Sequence, residues 1–168
     1  LTVIIGIDPG SRVTGYGVVR TVKQRTEYLA CGCIRLDTEG TFDERLVQLY
    51  DELSAIIAEY GPAEAAIEKV FMNRNVDSAL KLGHARGVAM VAARRAGVLV
   101  NEYSATQIKQ SVVGRGHADK AQVQHMVKFL LGLSAAPSAD AADALAAALC
   151  HGAMRDGNAR IALAGGAR

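Results

Sequence analysis

Four carboxylates occupy positions where an ionisable side chain needs a reason. Asp8 follows directly on the apolar run Val3-Ile4-Ile5-Gly6-Ile7, and Glu68 lies near the end of Ala65-Ala66-Ile67-Glu68-Lys69-Val70. Asp140 and Asp143 are three apart in Ala139-Asp140-Ala141-Ala142-Asp143-Ala144-Leu145, a stretch with no Lys or Arg before Arg155. That spacing puts both on one face of a helix. Taken singly, Asp8 reads as a turn residue before Pro9-Gly10, Glu68 as the partner of a nearby Lys, and Asp140 as a helix-capping acid favoured by the macrodipole. Asp143 is harder to place, because an Asp deeper in an Ala-rich face needs a partner. Two carboxylates at neighbouring strand ends repel each other unless a cation neutralises them. With no His or Cys beside the four acids, the donor set suits a hard divalent ion, Mg2+ or Mn2+, better than zinc.

The elements that must bring these acids together can be read from periodicity. Residues 3–7 have the continuous apolar pattern of a strand buried on both faces, ended by Asp8-Pro9-Gly10-Ser11. Two β-rich stretches at 15–22 and 26–36 follow on short links, which implies an antiparallel meander. Phe42, Leu46, Leu49, Leu53, Ile56 and Tyr60 then recur at three and four, the face of an amphipathic helix ended by Gly61-Pro62. The short run 65–70 after that helix reads as a strand parallel to the first. Residues 76–96 have helical composition, with Ala79, Gly83, Gly87 and Met90 forming a stripe of mostly small residues. A last strand is expected at 98–100, a helix at 105–112, a mobile loop at Gly114-Arg115-Gly116-His117 and a helix at 119–131. Ser138 caps a final Ala-rich helix to about Met154. Ligands in α/β sheets gather beyond the carboxyl ends of parallel strands, where Asp8 and Glu68 both fall.

A chain of 168 residues with 50% hydrophobic composition suits one domain, expected over 1–154, with 155–168 as a flexible tail. The longest apolar runs are too short for a membrane span, and Asp8 interrupts the first one, so neither a span nor a signal peptide is expected. The three cysteines have neither disulfide-framework nor zinc spacing, which agrees with a reduced, cytoplasmic protein. Charge is divided along the chain. Residues 37–64 hold eight acids against Arg45 alone, whereas 69–128 hold ten bases against Asp77, Glu102 and Asp119, a net +7. A basic block of that size fits a surface facing a polyanion, although solvated helix faces would produce the same count.

In order, Gly6-Ile7-Asp8-Pro9-Gly10-Ser11-Arg12-Val13-Thr14-Gly15-Tyr16-Gly17, Ala66-Ile67-Glu68-Lys69-Val70-Phe71, Ser78-Ala79-Leu80-Lys81-Leu82-Gly83, Lys109-Gln110-Ser111-Val112-Val113-Gly114 and Ala139 to Leu145 resemble the RuvC family of bacterial Holliday junction resolvases. The resemblance spans about residues 3–152. It implies a ribonuclease-H-like α/β fold with a five-stranded mixed sheet, order 3-2-1-4-5 with strand 2 antiparallel, and a homodimer with two active sites. By position, Asp8, Glu68, Asp140 and Asp143 become the ligands of two Mg2+ ions, with Mn2+ the other option. Lys109 and Lys120 become basic residues beside the cleaved strand. Phe71 becomes an aromatic that stacks on bases at the crossover; an ordinary core Phe is the other reading.

The resemblance further implies DNA contacts from Arg74, Lys81 and Arg115, and a dimer interface through Ala79, Gly83, Gly87 and Met90. The reaction would be paired, symmetric hydrolysis of a four-way DNA junction in recombination and repair, leaving 5′ phosphate and 3′ hydroxyl ends, in partnership with the RuvA and RuvB branch-migration complex. Three alternatives stand beside it. The Asp8-Pro9-Gly10-Ser11 turn is similar to the phosphate loop of actin-like ATPases, which need two large lobes. A nuclease of the same fold acting on another structured nucleic acid would use the same acids. A junction binder without catalysis would gain nothing from four anionic groups facing phosphate.

Overall fold

Strand β1 (Thr2–Asp8) is the centre of the molecule. The computed structural model describes residues 1–22, 25–69 and 75–165, with side chains through Arg155. β2 (Val13–Val22) and β3 (Arg25–Arg35) fold back from β1 as an antiparallel meander. α1 (Phe42–Tyr60) crosses over to β4 (Glu64–Glu68), which pairs parallel to β1. α2 (Val76–Arg95) leads to β5 (Leu99–Tyr103), parallel to β4. α3 (Ala105–Val113), α4 (Lys120–Leu130) and α5 (Ala139–Gly165) complete the order. The sheet runs β3-β2-β1-β4-β5, the order and the antiparallel second strand expected from the resemblance.

Alternation of side chains gives the sheet two cores. Ile5, Ile7, Val18 and Ile67 point to one face, where they meet Leu49, Leu53 and Ile57 of α1 and Ala85, Ala89, Ala92 and Ala93 of α2. Ile4, Val19 and Ala66 point to the other, against α5 and against Ile108, Val112, Val123 and Val127 of α3 and α4. Asp8 is in phase with Ile4, and Glu68 with Ala66, so both acids fall on the α5 face.

Two glycines let α5 lie directly on the sheet. A Cβ at Gly6 would overlap the Ala144 carbonyl, and one at Gly15 would overlap the carbonyl of Asp140. The facing helix is built from Ala141, Ala142, Ala144, Ala146, Ala147 and Ala148, all buried. Backbone therefore meets backbone, and the first turns of α5 are pinned against the ends of β1 and β2.

The elements differ most from the sequence expectation at two ends. β5 continues to Tyr103 rather than stopping at Val100, because it is an edge strand whose ladder with β4 tolerates the polar residues Asn101 and Glu102. α5 continues to Gly165 rather than to about Met154. The extension has no Pro, and the helix runs through the poor formers Asp156-Gly157-Asn158 into Ala159-Arg160-Ile161-Ala162-Leu163-Ala164. Among the described residues, no helix is long and apolar enough to cross a membrane.

Candidate active site

The last β1–β4 pair is Ile7 with Ile67, so Asp8 and Glu68 are the next residues on two adjacent parallel strands. α5 begins above them and presents Asp143 to the same space. α3 and α4 close the opposite side, each with its start set by a capping box. Ser104 and Gln107 cap α3, and Asp119 and Gln122 cap α4, which makes Lys120 the first helical residue of α4. The result is a cavity of about 250 Å³ lined by Asp8, Glu68, Asp143, Lys109 and Lys120, with Ala105, Ile108 and Val123 as its apolar wall.

The electrostatics of this cavity are strained in one direction. Burial, then the charges of Asp143, Glu68 and Asp140, push the Asp8 carboxyl from its ordinary 3.8 up to about 7, against the pull of Lys120. Burial and Asp143 likewise raise Glu68, against Lys109 and Lys120. Lys120 is held above its ordinary value chiefly by Asp143, whose Oδ2 lies 3.4 Å from its Nζ. The lysine side chain is 76% exposed, so this pair is a weak clasp that a stronger anion or cation can open.

Asp140 lies one helical turn before Asp143 and acts on Asp8 through its charge without lining the cavity. Among the described residues, no three His, Cys, Asp or Glu side chains are already drawn into a closed metal cage. The donor set nevertheless fits a hard divalent cation: all its donors are oxygens, and burial together with the neighbouring acids raises the Asp8 carboxyl in a way that a bound cation would relieve.

The other residues singled out in the sequence are placed as follows. Lys81 is near the start of α2, paired with Asp77 at 2.7 Å across one turn. Arg115 is exposed on the link between α3 and α4. Phe71 and Arg74 lie outside the described residues. Gly83 and Gly87 line an apolar groove with Leu46, Val47, Tyr50 and Val91, and a Cβ at either glycine meets nothing within 4 Å. Met90 is half-buried and packs on the sheet core instead, whereas Val47, Leu80 and Val91 are exposed.

Sequence reasoning assigned no chemistry to His151, which the structure buries in a polar chain on the α5 face. The Glu64 carboxylate accepts a hydrogen bond from His151 Nε2–H at 2.5 Å, and Nδ1 shares a hydrogen bond with the Tyr103 hydroxyl at 2.6 Å. Arg155 Nε donates to the other Glu64 oxygen at 2.9 Å. Burial alone would raise Glu64, but these hydrogen bonds hold it below the usual carboxylate range. The chain locks α5 to β4 and β5. Its members come from three separate elements, so no local spacing could have signalled it.

A parallel-antiparallel sheet of this order, with acids at the ends of its two central parallel strands and on the helix lying across them, defines a nuclease of the ribonuclease-H-like class. Within that class the match is specific: the model of the family described as crossover junction endodeoxyribonuclease RuvC matches residues 4–151. This chain belongs to the RuvC family. It is 64% identical over 151 residues to the RuvC of Aeromonas hydrophila, covering 90% of this chain and 87% of that one. It is 57% identical over 166 residues to the RuvC of Marinobacter nauticus, covering 99% and 94%. Among solved structures, Thermus thermophilus RuvC in complex with a Holliday junction substrate superposes with a TM-score of 0.86 at 36% identity, over 94% of this chain and 97% of that one.

Proposed function

We propose that this chain resolves four-way DNA junctions by paired, symmetric hydrolysis of two phosphodiester bonds in recombination and repair. The convergence of Asp8, Glu68 and Asp143 with Lys109 and Lys120 in one cavity carries this reading. Asp8, Glu68, Asp140 and Asp143 would hold two Mg2+ ions, or Mn2+ in their place. When bound, such ions supply a water acidified to hydroxide near neutral pH and positive charge facing the leaving 3′ oxygen, so that 5′ phosphate and 3′ hydroxyl ends result. The carboxylates would hold that pair, and the α5–sheet contact fixes Asp140 and Asp143 relative to Asp8 and Glu68. Lys109 and Lys120 offer fixed positive charge to the phosphoryl oxygens without needing to transfer a proton. Lys120 is available for this because its clasp with Asp143 is exposed and long. Arg74, Lys81, Arg115 and Phe71 are the further DNA contacts of this reading, with Phe71 stacking on bases at the crossover.

The reading is tested by offering the protein a synthetic four-way junction, a fork and a plain duplex, each with and without Mg2+, and mapping the nicks. Paired nicks at symmetric positions, on the junction alone and only with the cation, are expected. Equal cutting of all three substrates would overturn it. We expect the protein to act in the cytoplasm, on junctions presented by the RuvA and RuvB branch-migration complex.

Two symmetric cuts need two sites related by a two-fold axis. The open space above Gly83 and Gly87 supports a dimer through α2, since nothing within one copy requires those residues to be small. Gly87→Glu is expected to raise helix propensity and keep the fold, yet convert the dimer to a monomer at micromolar concentration in sedimentation. A persistent dimer would place the interface elsewhere.

A further inference from the structure

Arg86 links the helix bearing the open apolar face to the strand that ends in Glu68. It projects from α2 and is largely buried, with its side chain 20% exposed. Its Nη2 pairs with the Glu102 carboxylate on β5, and its Nε donates to the Glu68 main-chain carbonyl at 3.3 Å. On the β5 side, Glu68 is held by the ladder, which runs to Glu68–Tyr103 and is followed by Lys69 N–H donating to the Tyr103 carbonyl at 2.7 Å. On the β1 side, the ladder stops one residue earlier, at Ile7–Ile67. The Arg86 fork meets the chain at that point.

We propose that Arg86 is a positioning residue that holds the Glu68 end of β4 at the spacing which divalent-cation binding at the cavity requires; this rests on the metal-dependent reading above. Arg86 does not line the cavity, and its charge is matched by Glu102. The cations that act on the Glu68 carboxylate are Lys109 and Lys120. Its influence on the site is therefore geometric and passes through the main chain. The fork serves the carboxylate from Nη2 and the carbonyl from Nε at a fixed separation, whereas a lysine carries its three donors on one nitrogen at the end of a flexible stem. Arg86→Lys can keep the Glu102 ion pair and lose the tether on Glu68.

The test is titration of Mn2+ into the whole protein without DNA, with free Mn2+ read by electron paramagnetic resonance. Support for a ligand by residues behind it is commonly worth 10–100-fold in metal affinity, so Arg86→Lys is expected to weaken Mn2+ binding about tenfold. The melting temperature without cation and the cation-free affinity for a four-way junction are expected to stay at wild-type values. Glu102→Gln, which keeps an acceptor for Arg86, is expected to bind Mn2+ within about twofold of wild type.

Wild-type Mn2+ affinity in Arg86→Lys overturns the proposal. So does a loss that comes with a lowered melting temperature or an unfolded variant, since Arg86 would then be an ordinary structural contact. Asp8→Asn separates the two readings. If it binds Mn2+ as wild type does, the cavity is not the metal site and both readings fail. If it loses Mn2+ while Arg86→Lys does not, the positioning role alone fails.

Discussion

Asp8→Asn is expected to bind a four-way junction as well as the unaltered protein and to cut it at least about 10³-fold more slowly, a loss of about 4 kcal/mol of transition-state stabilisation. The amide keeps the shape of the carboxylate, so the fold and the basic surface are unchanged, while one anionic oxygen donor is lost from the set facing the cavity. The same substitution has a second, opposite effect. Asp8 is raised to about 7 by burial and by Asp143, Glu68 and Asp140, whereas the unfolded chain titrates near 3.8. In that window the folded state binds more protons than the unfolded one, so stability falls as pH rises from about 4 to 7 and the deficit is complete above the folded pKa. Asparagine carries no charge to confine, so the cation-free variant is expected to melt above the parent at pH 8. Each kcal/mol recovered is worth about 2–4 °C in a chain of this size. Loss of cutting with a higher melting temperature is the signature of a site held together against its own repulsion. Cutting near the parental rate would sink the assignment of Asp8, and a lower melting temperature would show that its carboxylate is satisfied within the protein.

Gly15→Ala is expected to slow cutting far more than it unsettles the fold. Its Cβ would overlap the carbonyl of Asp140 and crowd the Ala141 nitrogen, both main-chain atoms of the first turn of α5. Main chain cannot rotate out of the way, so the helix start must move. Overpacking of this kind costs about 1–3 kcal/mol, which leaves most of the population folded. The displacement carries Asp140 and Asp143 with it, and a misplacement of about 1 Å in a catalytic group can cost about 10²-fold in rate. The expected result is a folded protein, slightly less stable, that binds junctions and cuts them about 100-fold more slowly. A melting temperature and a rate both equal to the parent's would show that α5 has slack at this contact, and that the glycine is dispensable for positioning the acids.

These two substitutions also mark where sequence reading reaches. The turn residues after β1, the three-and-four period of α1 and the Ala run of α5 are local signals, and local sterics and hydrogen bonding make them legible without a partner. The ends of β5 and α5 were misjudged for a related reason. An edge strand follows its neighbour's ladder rather than its own apolarity, and a helix already formed can run through a few poor formers such as Asp156-Gly157-Asn158 when no Pro interrupts it. Asp8, Glu68, Asp140 and Asp143 were legible as acids out of place, since each interrupts an apolar pattern that is complete without it.

Which groups touch was decided only by the fold. That Asp143 and Lys120 meet, that Asp140 acts from beside the cavity, that Met90 turns into the core while Val91 faces out, and that Arg86 reaches Glu68 all depend on strand register and helix rotation. Those quantities come from packing two cores against one sheet. The chain of Tyr103, His151, Glu64 and Arg155 is the clearest case. Its members are spread over more than ninety positions, and each alone is an ordinary residue of its element. Residue type and spacing are determined by the sequence, and so was the chemistry these acids could perform. The distances between them arise when α5 settles on glycines that leave it no choice of height.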